Sequence, residues 1–171
     1  IQPGLIDISC NAANANDVAN LVADGGSLPG ANVDAGIAAA ISGRVSSSIL
    51  EVGAISSTTV GASINQLVKK SGRTTGLTRS KVSGLNATVN IAYDNECAGG
   101  PSFTKTFTGQ IVIANKGSRF LAGGDSGSLM VQDISTDPKA VGLLYAGSST
   151  SAIANPINDV LSFYGATMVG N

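Results

Sequence analysis

Histidine is absent from all 171 positions. The side chain that titrates nearest neutral pH, and that most often serves as general base or zinc ligand, is therefore missing from this chain. Cysteine is scarce as well. Cys10 and Cys97 lie too far apart for a local metal knuckle, so no zinc site is expected, and no other metal or organic cofactor is implied. The pair leaves open one long-range disulfide, which an exported protein would allow, or two buried free thiols. Charged residues make up only 12% of the chain, about half the usual share, and the formal net charge is -1 with no block of Lys or Arg. Nucleic acid and anionic membrane are thus not expected as partners. No apolar run approaches the roughly eighteen residues that a helix needs to cross a bilayer. The opening Ile1-Gln2-Pro3-Gly4 shows no basic segment, apolar core or cleavage site, so the expectation is that an upstream segment has been removed.

What is plentiful is glycine, at 22 residues, beside many Ser, Thr, Val and Ala. That mixture favours short strands joined by tight turns. Apolar and polar residues alternate over 66–70 and 81–91, the period of a half-buried strand, with a turn-rich Ser71-Gly72-Arg73-Thr74-Thr75-Gly76 between them. Further strands are predicted over 103–114, 127–132 and 140–146, each bounded by Gly, Asn, Asp or Pro. The residues 17–23 read as strand or turn. One helix is expected over 156–164, where Ile157, Val160, Leu161 and Tyr164 share a face and Asn155 stands as the cap before Pro156. The fold class is all-β, an antiparallel sandwich or barrel. A composition shift puts a domain boundary near Gly61, separating 1–62 from 63–171.

The informative segment is Leu121-Ala122-Gly123-Gly124-Asp125-Ser126-Gly127-Ser128-Leu129-Met130. Glycines on both sides of an Asp-Ser pair let the backbone turn sharply, so that a hydroxyl projects while neighbouring N–H groups converge. The donors of Gly124 and Ser126 are the expected oxyanion hole, and the apolar run beyond them anchors the loop in a strand. By itself the string also fits an ordinary tight turn.

The match of Gly124 to Gly127 with Gly-Asp-Ser-Gly resembles the trypsin/chymotrypsin serine peptidase superfamily, in which that motif surrounds the catalytic serine. The stretch Lys69-Lys70-Ser71-Gly72-Arg73-Thr74-Thr75-Gly76 independently resembles the opening of the second barrel in bacterial enzymes similar to alpha-lytic protease. The resemblance implies a double Greek-key β-barrel with the first barrel incomplete and a short C-terminal helix, in a secreted or extracytoplasmic protein. It further implies an ion pair between Lys70, in place of the usual arginine, and Asp125. As a bare sequence, Lys69-Lys70 reads equally well as a solvated strand edge.

A serine hydroxyl needs a base, and the base needs an orienting carboxylate. Asp34, in Asn32-Val33-Asp34-Ala35-Gly36-Ile37-Ala38, is similar to the triad aspartate string of bacterial relatives. The base is the departure from the family pattern. Three explanations stand: a histidine upstream in a longer protein, since Ile1 to Asp7 resembles the segment just beyond that histidine in the bacterial subgroup; a natural pseudoenzyme with a binding role; or Lys69 or Lys70 as an alternative base. The resemblance places the primary specificity pocket at Phe120, Leu121, Ala122, Tyr145 and Gly147. Without an acid there, the expected partner is a peptide or protein substrate with a small or apolar residue before the scissile bond.

Overall fold

The computed structural model describes residues 19–24, 31–93 and 102–171. Cys10, Cys97 and the opening Ile1-Gln2-Pro3-Gly4 lie outside them, so the disulfide expectation does too.

The chain runs β1 (Ala19–Asp24), β2 (Gly36–Ala40), β3 (Leu67–Gly72), β4 (Gly76–Tyr93), β5 (Phe103–Ala114), β6 (Leu129–Gln132), β7 (Ala140–Gly147), β8 (Ser151–Pro156) and α1 (Ile157–Tyr164). Strands β3-β4-β5-β8-β7-β6 close into an antiparallel barrel, while β1 and β2 form a separate two-stranded sheet. The crossover from β5 to β6 makes the barrel a Greek key, because β6 returns to lie between β3 and β7. The all-β expectation holds. Of the residues 17–23, the described 19–23 lie on β1, and β8 is a strand that the alternation did not flag.

Inward-facing residues meet at the barrel axis: Val68, Val82, Ile111, Ile113, Met130 and Leu144 are each at most 2% exposed. Burying side chains of this size is worth roughly 1.5–3 kcal/mol apiece, which is where the barrel's cohesion comes from. Register shifts along the β4–β5 ladder, between Val82 and Val89, bend the ribbon as closure demands. Strand β5 pairs with β8 only over Ile111 to Ala114. Among the strands its first half therefore pairs with β4 alone, and this projecting ribbon carries Val89 to Tyr93 out to one side of the barrel.

The C-terminal helix begins at Ile157, with Pro156 at its cap and no side-chain cap bond. Asn155 does not cap it; that residue is fully buried in β8 and its carboxamide is engaged elsewhere. The left-handed Gly165 (φ 61°) ends the helix, and the N–H of Ala166 returns to Leu161 at 2.9 Å. Ile157 and Val160 press onto Ala140 and onto Val33 and Ala35, so the segment around residue 34 is sealed between helix and barrel.

Candidate functional site

The β3–β4 hairpin and the loop before β6 meet around Asp125, which is 1% exposed. Its Oδ1 accepts the backbone N–H groups of Thr74 (2.8 Å) and Thr75 (3.1 Å). Its Oδ2 accepts the Thr75 hydroxyl (2.7 Å), the Ala122 N–H (3.1 Å) and the Lys70 ammonium (3.1 Å). Lys70 is fully buried and also donates to the Thr75 hydroxyl and to the Gly76 carbonyl (3.2 Å). Neither lysine of the pair is a solvated edge: Lys69 is 6% exposed, with its ammonium on the Ile134 carbonyl at 2.7 Å. Gly72 leaves the room for this arrangement, since a Cβ there would stand 2.4 Å from Asp125 Oδ1.

Burial pushes the Asp125 carboxyl up, but the Thr75 hydroxyl and the N–H groups of Ala122, Thr74 and Thr75 outweigh it and hold the pKa at about 2. Burial lowers the Lys70 pKa, against the hydrogen bond and the charge of Asp125. A carboxyl depressed in the folded state contributes stability that is complete above its unfolded value, 3.8, and that is lost as pH falls through about 2. The loss amounts to roughly 2 kcal/mol. Acid titration of unfolding by denaturant should show it in that window, and Asp125→Asn should flatten the curve there; an unaltered slope in the variant would contradict the assignment.

With the carboxylate fixed, the loop turns outward. Gly124 (φ 92°) and Gly127 (φ 85°) take left-handed backbone that side-chain-bearing residues rarely adopt. The N–H groups of Asp125, Gly127 and Ser128 are used inside the protein, on Ala122, Leu144 and Asp125 carbonyls at 3.1, 2.7 and 3.0 Å. Among the described residues those of Gly124 and Ser126 meet no acceptor. Ser126 is exposed, and its hydroxyl donates to the Tyr145 carbonyl at 3.1 Å.

Ser126 opens onto a cleft of about 1040 Å³ that Asp34 also lines. One wall is the projecting ribbon from Val89 to Tyr93; the other is Tyr145 to Ser149. Asp34 is the sole charged residue of the lining among the described residues, and its carboxylate accepts the Tyr93 hydroxyl. Burial and then the charge of Asp34 push the Tyr145 phenol up. Leu121, Ala122, Tyr145 and Gly147 all line the cleft. Phe120 does not. Its side chain packs in the barrel core with Leu121, Met130 and Leu144 at 2% exposure, and it is removed from the pocket set.

Several residues that organise the site escaped the sequence reading. Asn115, 1% exposed, accepts the N–H groups of Phe120 and Leu121 (both 3.0 Å) and donates to the carbonyls of Leu121 (3.0 Å) and Ser148 (2.7 Å), tying the serine loop to the opposite wall. Thr75 and Tyr93 bind the two carboxylates. The available signal was an Asn beside an apolar strand, since a buried amide must find partners.

Among solved structures, the chain is similar to a glutamic acid specific serine protease described as using a histidine triad in substrate binding. The two share 26% identity at a TM-score of 0.62, over 89% of this chain and 74% of that one. The chymotrypsin of Cellulomonas bogoriensis aligns at 20% identity and a TM-score of 0.63, covering 91% and 78%. Protease A of Thermobifida fusca aligns at 24% and 0.56, covering 82% and 70%. The barrel and its loops thus have the trypsin-like protease fold. No curated protein sequence matches. The profile of the Nal1 C-terminal domain matches residues 11–155, and the chain belongs to that family.

Proposed function

We propose that the protein carrying this chain is a serine endopeptidase whose nucleophile is Ser126. The observation that carries the reading is the pair of N–H groups at Gly124 and Ser126 that meet no acceptor among the described residues, beside an exposed hydroxyl on the loop fixed by the buried Asp125. A tetrahedral oxyanion accepts two such donors. In the reaction the Ser126 oxygen bonds to the substrate carbonyl carbon and its proton passes to a base. The amine then leaves with that proton, and water releases the acyl group. The base is an imidazole from residues outside this chain, oriented by Asp34 across the shared cleft. Lys69 and Lys70 do not serve, because their ammonium groups are committed to Ile134 and Asp125.

The cleft by Leu121, Ala122, Tyr145 and Gly147 suits a small or apolar residue before the scissile bond. The glutamate preference of the similar protease is not carried over, since that protein is described as using histidines and this chain has none. Secretion of the intact protein is part of the same proposal. Absence of histidine favours a second reading, a trypsin-fold binding module that holds peptides in the cleft without cleaving them.

Fluorophosphonate labelling separates the two. The full-length protein should label at Ser126 and cut a peptide library after small or apolar residues, and this chain alone should label far more slowly. A full-length protein that neither labels nor cuts, yet binds peptides, supports the module. Cleavage after Arg or Lys would contradict the pocket assignment.

A further inference from the structure

Asp34 reaches the cleft from a segment that belongs to none of the barrel strands, so something must hold it there. Asn155, on β8 and fully buried, meets it with both ends of its carboxamide. Oδ1 accepts the Asp34 N–H at 3.0 Å, and Nδ2 donates to the Asp34 carbonyl at 2.7 Å, across 121 residues of sequence. The amide thus reproduces the two bonds that a neighbouring strand would make, at one residue only. Other long-range contacts reinforce the join. The Tyr164 hydroxyl donates to the Ala35 carbonyl, and Asn32 clasps Thr108 in the same two-ended way, at 2.8 and 2.7 Å.

We propose that Asn155 is a positioning residue, whose carboxamide clasps both backbone groups of Asp34 and sets the carboxylate at the cleft wall. The inference rests on the peptidase reading for its purpose, but not for its geometry. With Asp34 fastened to the barrel that bears Ser126, the acid and the nucleophile share one rigid support. Their spacing then does not depend on how the rest of the chain packs. Preorganisation of this kind is what an orienting carboxylate requires. A leucine at 155 keeps the branching of asparagine and makes neither bond, which takes from two backbone groups of Asp34 the partner they have on β8.

The test is amide exchange by NMR on this chain, with Asn155→Leu against the parent. The Asp34 amide should exchange at least about tenfold faster in the variant. The amides of Val82 and Leu144, bonded within the barrel to Gln66 and Ser128, should keep their rates. The chain holds three tyrosines, so 13C-labelled tyrosine gives a second readout. The Tyr93 ring carbon bearing the hydroxyl should shift as the Asp34 carboxylate moves away. Uniform acceleration of all three amides would mean a merely structural role and would overturn the proposal. So would an unchanged Asp34 amide or an unmoved Tyr93 resonance. Should Asn155→Leu fail to fold, Asn155→Ser, too short to span both bonds, is read in the same way. Neither readout needs turnover, so a failed labelling experiment at Ser126 would leave this result standing.

Discussion

Replacing Lys70 by methionine should lower the unfolding free energy by about 3–5 kcal/mol, the usual cost of leaving one member of a buried ion pair without its partner. Both groups are out of water, at 0% and 1% exposure, so bulk solvent cannot take over the role of the ammonium. Methionine keeps an unbranched apolar stem at this buried position, and this separates loss of charge from loss of volume. Buried ion pairs can often be replaced on both sides by apolar residues with little loss. Here the double variant Lys70→Met/Asp125→Leu should not recover. The N–H groups of Thr74, Thr75 and Ala122 all end on the Asp125 carboxylate, and a leucine would strand them. Denaturant unfolding of the single and double variants checks both statements. A double variant as stable as the parent would show that the ion pair, and not the hydrogen-bonded carboxylate, governs this region.

On the peptidase reading, Gly124→Ala should slow acylation of Ser126 about 10²–10³-fold wherever an imidazole base is supplied, the range found when one oxyanion donor is lost. Two causes act together. The backbone at 124 has φ 92°, which an alanine resists, and its Cβ would stand 2.1 Å from the Arg73 guanidinium and 2.6 Å from the Thr74 hydroxyl. The guanidinium is the end of a flexible chain and can swing away, but Thr74 is tied by its hydroxyl to the Gly123 carbonyl at 2.7 Å. The strain therefore falls on the peptide that offers the Gly124 N–H. Fluorophosphonate labelling rates measure the effect. Unchanged labelling, with the variant folded, would show that the Gly124 N–H does not face the reacting oxygen.

The motif around Ser126 was legible because the chemistry is local. A glycine that must take left-handed backbone and a serine that must project are constrained by their immediate neighbours. The strands β3 and β4 were legible from a local alternation of apolar and polar residues, and β5, β6 and β7 from the Gly, Asn, Asp or Pro that bound them. Strand β8 was missed because Ala152-Ile153-Ala154-Asn155 shows no alternation; it is buried on both faces while its two edges pair with β5 and β7. Phe120 looked like pocket lining because only its distance from Ser126 along the chain was available, and that distance does not say which face of the backbone it occupies.

By itself, the order of residues determined an all-β chain with a sharp Gly-Asp-Ser-Gly turn and no imidazole of its own, because propensity, periodicity and composition are properties of neighbours and counts. Tertiary structure alone decided that Lys70 is buried, that Asn115 and Asn155 tie distant segments together, and that Asp34 and Ser126 open onto one cleft. Those facts depend on contacts between residues far apart in the chain. Their energy comes from polar groups meeting partners out of water, where each bond is stronger and an unmade one more costly, and no local pattern records it.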